Sequence, residues 1–209
     1  MEQIKTIKTN GIAEVIEKKS KFIGQAFYVE TKQQAEEIIK KVKTEYSDAK
    51  HNCYAYSILE DGSTITKSSD DGEPSGTAGI PILNVIKEKN LTNVLIIVTR
   101  YFGGILLGTG GLVRTYTKTA VDSIEKSEII KKELGHVIRF KTDYNKLEQL
   151  KYYLNQNNCK ICKITYLEKI ELIAEITEKI KKELEQNEIK KEELFELMEI
   201  LEIKYISKN

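Results

Sequence analysis

The chain has 209 residues, of which 40% are hydrophobic and 31% are charged, as in an ordinary globular protein. Its 33 Lys and Arg residues are balanced by 32 Asp and Glu residues, so the sequence lacks the basic excess of avid, non-specific nucleic-acid binders, and any RNA contact would need a local basic patch. It contains neither a long apolar run nor an apolar N-terminal core, so we expect no transmembrane helix and no signal peptide. The odd number of cysteines, three, favours a reducing cytoplasm over a disulfide framework.

Short segments with strand and helix patterns alternate through the first 130 residues. Apolar residues that alternate or run together predict strands at Ile4–Lys8, Ile12–Glu17, Phe22–Val29, Asn52–Leu59, Thr64–Lys67 and Val94–Val98. Apolar residues at helical spacing predict helices from Lys32 to about Thr44, from Pro81 through Ile86, and from the end of Gly110–Gly111 to about Lys126. Asn10–Gly11 is typical of a type I′ turn, so the first two strands are predicted to form a hairpin. Thr31 is predicted to cap the first helix.

A charged stretch, Lys126–Gly135, is predicted to separate two domains, at residues 1–130 and 136–209. The second half shows segments at His136–Lys141, Asn145–Asn157, Lys160–Leu167, Ile170–Ile176, between Glu178 and Leu201, and at Glu202–Ile206. Their predicted order is strand, helix, strand, strand, helix, strand, which is typical of a ferredoxin-like fold. The predicted fold class is therefore α+β.

The loop Lys67–Pro81 combines carboxylates, glycines, prolines and hydroxyls, a mixture that neither a helix nor a strand tolerates. Its carboxylates, Asp70, Asp71 and Glu73, could bind a metal, act as acid and base, or brace the loop. The alternation typical of a calcium loop is absent, so bracing through arginines is the favoured interpretation. Neither a metal site nor a catalytic residue is predicted.

A second loop, Thr99–Arg114, follows a predicted strand and leads into a helix, and this arrangement favours an anion site built from free N–H groups and the positive helix end. The fingerprints of phosphate-binding and dinucleotide-binding loops both fail here, so no nucleotide cofactor is expected. The alternative is that the glycines only allow close backbone packing. The predicted anion-binding or RNA-phosphate-binding residues are Arg100, Gly103, Gly104, Gly108, Gly110, Gly111, Arg114 and Lys118.

Three further patterns favour structural over chemical roles. His51 and Cys53 share a strand face, which suggests a nucleophile pair but more often marks a core or an edge. The lone Cys159–Cys162 motif has no second pair for zinc. Tyr54 and Tyr56 also share a face, where they could stack on bases but would more commonly be half buried.

Five motifs occur together between about residue 20 and residue 124, at Ser20–Gly24, Asp48–Tyr56, Ser69–Gly79, Arg100–Gly104 and Gly110–Arg114. Their combination resembles the IMPACT / YigZ family. The chain departs from the family pattern at Lys50, where a threonine is usual, and at Ile105, where a basic residue is usual. The missing charge at Ile105 weakens the case for phosphate binding.

The resemblance implies an N-terminal domain with the fold of the second domain of ribosomal protein S5. In bacterial members it also implies a C-terminal ferredoxin-like domain, a pair that looks like domains four and five of the translocation elongation factor. Eukaryotic relatives bind a translation regulator and thereby restrain an amino-acid-starvation kinase. The resemblance transfers no catalytic residue, and similarity of fold alone is weak support for function.

We therefore predict a non-enzymatic, cytoplasmic binding protein linked to translation, which contacts RNA or a ribosome-associated protein through its two loops. It is predicted to need no cofactor and to make no membrane contact. The alternative is a small-molecule enzyme or an anion- or metal-binding protein that uses the same loops, through Asp70, Asp71, Glu73, Arg100 and Arg114. The sequence does not predict an oligomeric state.

Overall fold

A computed structural model of the chain describes residues 3–60 and 62–207, with side chains described at all of these except residues 188 and 189. The chain divides into two compact units. The first runs from Lys5 to Ile130, and the second contains Gln3, Ile4 and the chain from Lys131 onward. Both units combine helices with an antiparallel sheet, so the protein is of mixed α+β class.

The strands of the chain are β1 Gln3–Ile7, β2 Gly11–Glu17, β3 Ser20–Tyr28, β4 His51–Glu60, β5 Ser63–Ser69, β6 Val94–Tyr101, β7 Ile129–Thr142, β8 Lys160–Tyr166, β9 Ile170–Thr177 and β10 Leu197–Ser207. The helices are α1 Lys32–Glu45, α2 Gly79–Glu88, α3 Gly108–Glu125, α4 Leu147–Gln156, α5 Glu178–Gln186 and α6 Glu188–Leu194. Among residues 3–60 and 62–207, none of these helices has the length and apolar character needed to cross a membrane.

The sheet of the first unit has the order β2-β3-β6-β4-β5 and is covered on both faces. On one face, α2 and α3 pack over side chains such as Phe22 and Val98. On the other face, α1 packs over Tyr54, Tyr56 and Ile97. Because successive strand residues point to opposite faces, the continuous apolar run of β6 supplies both cores, as the sequence predicted.

The predicted hairpin between the first two strands is wrong. Strand β1 lies next to β7, and β2 pairs instead with β3 through a two-residue turn at Lys18 and Lys19. Both turn residues have positive φ, 43° and 63°, as a type I′ turn requires. Gly11 serves packing rather than turning, because a Cβ there would lie 2.0 Å from the carbonyl oxygen of Ser123 on α3.

The sheet of the second unit has the order β10-β7-β9-β8, with β1 also next to β7. Helices α4 and α5 cover one face of this sheet, where Leu150, Leu154 and Leu184 pack with Phe140 and Leu172. Two predicted boundaries differ from the structure. Most of the charged stretch predicted as a linker is the first half of β7, and β10 begins before the predicted final strand. Both strand segments were missed because their side chains are largely exposed or half-buried, so charged residues interrupt the apolar pattern that predicts a strand.

Candidate functional site

The first loop is organised by Asp70, which directly follows β5. Its carboxylate accepts hydrogen bonds from the backbone N–H groups of Gly76, Ala78 and Gly79, at 2.8, 3.0 and 2.8 Å. It thereby satisfies the first N–H groups of α2, which have no side-chain cap at Ala78. Burial acts to raise the pKa of Asp70, but the three N–H groups outweigh it and hold that pKa below its usual value.

Asp71 ties the loop to α1 and β4. Its carboxylate accepts a hydrogen bond from the backbone N–H of Asn52 at 2.7 Å and forms an ion pair with Lys43 at 2.5 Å. Its backbone carbonyl lies 2.8 Å from Nδ1 of His51 and accepts the proton that this nitrogen must carry. The loop is thus anchored by a lysine of α1 that the sequence analysis did not consider.

Glu73 and Arg100 form a buried ion pair. Their side chains are 3% and 6% exposed, and Nη1 of Arg100 donates to Oε1 of Glu73 at 2.6 Å. The same carboxylate oxygen accepts a hydrogen bond from the hydroxyl of Tyr116 at 2.9 Å and lies 3.8 Å from Nε2 of His51. Burial, reinforced by the neighbouring Cys53 and Glu73, raises the pKa of Tyr116, so the phenol keeps its proton and donates. Glu73 therefore joins β6, α3 and the first loop.

Arg100 was predicted to bind phosphate, but the structure places it inside this buried cluster. A second nitrogen of its guanidinium donates to the hydroxyl of Ser20 at 3.4 Å. Its central carbon lies 5.3 Å and 5.5 Å from the ring centroids of Phe22 and Phe102. Nε is buried and has no hydrogen-bond partner among the described residues. Arg100 thus connects the two loops and does not face solvent.

The His51–Cys53 pair has no nucleophilic character in this environment. The Sγ atom of Cys53 lies 2.9 Å from the carbonyl oxygen of Asp70 and 3.3 Å from the hydroxyl of Tyr116. Burial, together with the nearby carboxylates, raises the pKa of Cys53 to about 12, so the thiol is protonated at neutral pH. Tyr54 is 9% exposed and packs beneath α1, as a core tyrosine does.

The three loop carboxylates point to different partners: Asp70 to backbone N–H groups, Asp71 to Lys43 and Glu73 to Arg100. Within residues 3–60 and 62–207, no group of three or more His, Cys, Asp and Glu side chains has the arrangement of a metal site. In the described structure this loop is a set of braces between elements.

The second loop packs on the turn between β2 and β3. A Cβ at Gly103 would lie 2.0 Å from the carbonyl carbon of Lys19, so only glycine allows this approach. The backbone N–H of Gly103 also donates to the hydroxyl of Ser20 at 3.2 Å. Gly104 and Gly108 are glycines for a different reason, since each has a positive φ and open space around it.

Helix α3 begins at Gly108, earlier than the sequence predicted, so Gly108, Gly110 and Gly111 belong to its first turn. No side chain caps this end: Leu107 occupies the cap position and makes no side-chain hydrogen bond. The N–H groups of a first helical turn have no partner within the helix, and the helix dipole makes this end positive. Gly108 and Gly110 are exposed, so this end of the helix lies at the protein surface.

A small groove of about 160 Å³ lies between this helix end and the β2–β3 turn. We call it the basic groove, and it is lined by Val15, Glu17, Lys18, Leu107, Gly111, Arg114, Thr115 and Lys118. The guanidinium of Arg114 folds back over the first turn, 3.5 Å from the point where a Cβ at Gly110 would lie. Lys18 and Arg114 form no ion pair with any described residue, whereas Lys118 pairs with Asp122 at 2.5 Å.

Sequence reasoning missed three residues beside the second loop: Lys18, Lys50 and Phe102. Phe102 is 42% exposed, and Nζ of Lys50 lies 5.5 Å from its ring centroid. The exposed aliphatic side chains Ile105 and Leu106 follow in the same loop. The five consecutive polar residues Glu17–Lys21 were a usable signal, because a polar break between two apolar runs predicts a connection between two strands.

The fold and the two loops define a protein of two α+β units whose site motifs all lie in the first unit. Residues 18–124 match the family profile described as the Impact N-terminal domain. The chain is 40% identical over 152 residues to the IMPACT family member YvyE of Bacillus subtilis (strain 168), an alignment that covers 73% of this chain and 70% of that protein. It is 34% identical over 145 residues to the IMPACT family member YigZ of Escherichia coli (strain K12), covering 69% of this chain and 71% of that protein. The chain belongs to the IMPACT family.

One solved structure, described as that of a hypothetical protein, is similar over nearly the whole length of both chains. The TM-score is 0.66 at 27% sequence identity, with 98% of each chain covered. A protein whose structure was determined by crystallography therefore has the same general fold.

Proposed function

We propose that this protein is a non-enzymatic binding protein linked to translation, which contacts RNA through the basic groove. The observation that carries the proposal is the convergence of Lys18 and Arg114, both without ion-pair partners among the described residues, on the uncapped first turn of α3. Exposed N–H groups and unpaired cations around one small groove are the features that bind a phosphate. The translation link comes from the family resemblance, and the cytoplasmic location is expected from the odd number of cysteines.

The chemistry of the first loop supports a binding role over catalysis. Its carboxylates are engaged by N–H groups, Lys43 and Arg100, and the thiol of Cys53 is held protonated by burial. A general acid or base needs a free path to substrate, and a nucleophilic cysteine needs a lowered pKa. The proposed phosphate contacts are accordingly Arg114, Lys118 and Lys18 with the first-turn N–H groups, while Arg100 acts as a brace.

We further propose that residues 1–130 are a domain similar to the second domain of ribosomal protein S5 and that residues 136–209 are a ferredoxin-like domain. The second assignment is supported by the element order from β7 to β10 and by the strand order β10-β7-β9-β8. The first is supported by the family resemblance of the motifs in that domain.

The proposal is tested by fluorescence anisotropy of the full chain with labelled RNA at two or more salt concentrations. Three groove cations would neutralise about three phosphates, so log K should fall with log salt with a slope of about −2. Lys18→Gln combined with Arg114→Gln should weaken binding at low salt and make the slope shallower. Lys87→Gln, an exposed cation near the C-terminal end of α2, is the matched control and should bind as wild type does.

Two outcomes would overturn the proposal. If the double variant binds RNA as well as wild type, the basic groove is not the contact surface. If wild type binds no RNA at low salt, RNA is not the partner, and a ribosome-associated protein or a small anion replaces it.

A further inference from the structure

A single exposed aromatic side chain lies at the start of the second loop. Among the described residues of the first unit, Phe102 is the one aromatic residue in the exposed class, with 42% of its surface accessible. It directly follows β6 and directly precedes Gly103. Burying this ring would have been favourable, and Ile105 and Leu106 of the same loop are exposed as well, so Phe102 is not an isolated exposed apolar residue.

The Phe102 ring is held in place from the protein side. The guanidinium of Arg100 lies 5.5 Å from its centroid, and Arg100 is itself fixed by the buried ion pair with Glu73. Nζ of Lys50 lies at the same distance from the centroid. These two cation contacts position the ring before any ligand arrives, so less ordering is needed on binding.

Phe102 and the groove are close along a chain of direct contacts. Gly103, the next residue, packs against Lys19, and Lys18, which lines the groove, is the residue before Lys19. Consecutive Cα atoms are about 3.8 Å apart, so a few such steps separate the backbone of Phe102 from that of Lys18. One flexible strand of a few nucleotides would reach both.

We propose that the RNA bound by this protein is single-stranded, with one base stacked on Phe102 and neighbouring phosphates held in the basic groove. The inference rests on the proposed function and adds the class of RNA. A base inside a duplex is already stacked on its neighbours and offers no free face, whereas single-stranded RNA is recognised by stacking on aromatic side chains. Lys50, beside the ring, is placed to contact a phosphate of the stacked nucleotide.

A direct test uses the absence of tryptophan from the chain. In a Phe102→Trp variant the single indole reports on stacking, and its fluorescence should be quenched saturably by an unstructured oligoribonucleotide. A duplex RNA of the same length should produce little quenching. Quenching by the duplex that equals or exceeds quenching by the single strand would overturn the inference.

A second test separates stacking from apolar contact. Phe102→Leu should weaken binding of the single strand about tenfold, and the salt slope should not change because no phosphate contact is lost. Leu106→Ala, which alters an apolar side chain that is 81% exposed in the same loop, is the control and should bind as wild type does. Thermal unfolding of each variant shows that the fold is retained.

The outcomes distinguish this inference from the proposed function. If the groove double variant loses RNA binding while Phe102→Leu binds as wild type does, the basic groove is confirmed as an RNA contact surface and the stacking inference is wrong. If no RNA of either form binds to wild type, the proposed function itself is wrong, and the inference falls with it.

Discussion

The buried pair of Glu73 and Arg100 shows how single residues determine the architecture of the two loops. Two charges removed from water are costly unless each is paired and hydrogen-bonded. Here the carboxylate is met by Arg100 and by the hydroxyl of Tyr116, and the guanidinium is met by Glu73 and the hydroxyl of Ser20. Loss of either charge would leave the other buried without its counter-ion. Each side chain thus contributes to stability chiefly by neutralising the buried charge of the other.

We expect Glu73→Gln to lower the free energy of unfolding by about 3 kcal/mol, because it leaves Arg100 buried without a counter-charge. Asp122→Asn breaks the exposed Lys118–Asp122 pair and should change the free energy of unfolding by less than about 0.5 kcal/mol. Urea denaturation followed by circular dichroism measures both variants.

A Glu73→Gln variant as stable as Asp122→Asn would show that the buried pair does not brace the loops. Unchanged stability together with a lost ligand or metal affinity would favour the alternative function, an enzyme or an anion- or metal-binding protein.

At the scale of elements, the glycines of the second loop fall into distinct classes that their spacing in the sequence does not reveal. Gly103 permits a close backbone approach between the loop and the β2–β3 turn. Gly104 and Gly108 permit positive φ angles in open space. Gly110 has neither requirement, since its φ is not positive and the nearest atom belongs to the flexible side chain of Arg114.

We therefore expect opposite effects from two alanine substitutions. Gly103→Ala forces the loop away from Lys19 and should cost about 1–3 kcal/mol of unfolding free energy. Gly110→Ala lies in the first turn of α3, where alanine is favoured over glycine, and should be neutral or stabilising by up to about 1 kcal/mol. Thermal unfolding of the two variants measures the difference in stability. Equal melting temperatures would contradict the packing role of Gly103.

At the scale of the whole molecule, each buried apolar cluster draws its residues from one unit. Two clusters, which lie on the two faces of the first sheet, contain residues between Ile7 and Ile124. The third contains residues between Ile138 and Met198. A unit with its own core has the main requirement for folding independently.

We expect a fragment of residues 1–130 to unfold cooperatively on its own. Its sheet is covered on both faces by its own helices, so most of its apolar burial survives removal of the second unit. Calorimetry on the isolated fragment is the measurement, with the full chain as reference. A broad transition without a cooperative heat-absorption peak would show that the fragment depends on the rest of the chain.

Much of the architecture follows from short-range patterns in the sequence. Thr31 was predicted to cap α1, and its hydroxyl accepts a hydrogen bond from the N–H of Gln34 at 3.1 Å. The apolar run at Val94–Val98 predicted a strand buried on both faces. Each of these features depends on residues within a few positions of one another, which is the range over which sequence patterns act. The glycines, prolines and charged residues of Lys67–Pro81 and Thr99–Arg114 also identified the two loops and the alternative roles of their residues.

Tertiary structure alone decided which groups meet. Asn10–Gly11 had the sequence of a hairpin turn, but Gly11 is needed where α3 approaches, and the true turn is at Lys18 and Lys19. The pairing of Glu73 with Arg100 was one of several that the loop chemistry allowed. Partner choice depends on long-range packing: the sheet order brings Arg100 under the first loop and leaves Arg114 facing solvent. The sequence thus determined the elements and the chemistry available in each loop, whereas the packing of those elements decided which charges are buried and which remain free to bind.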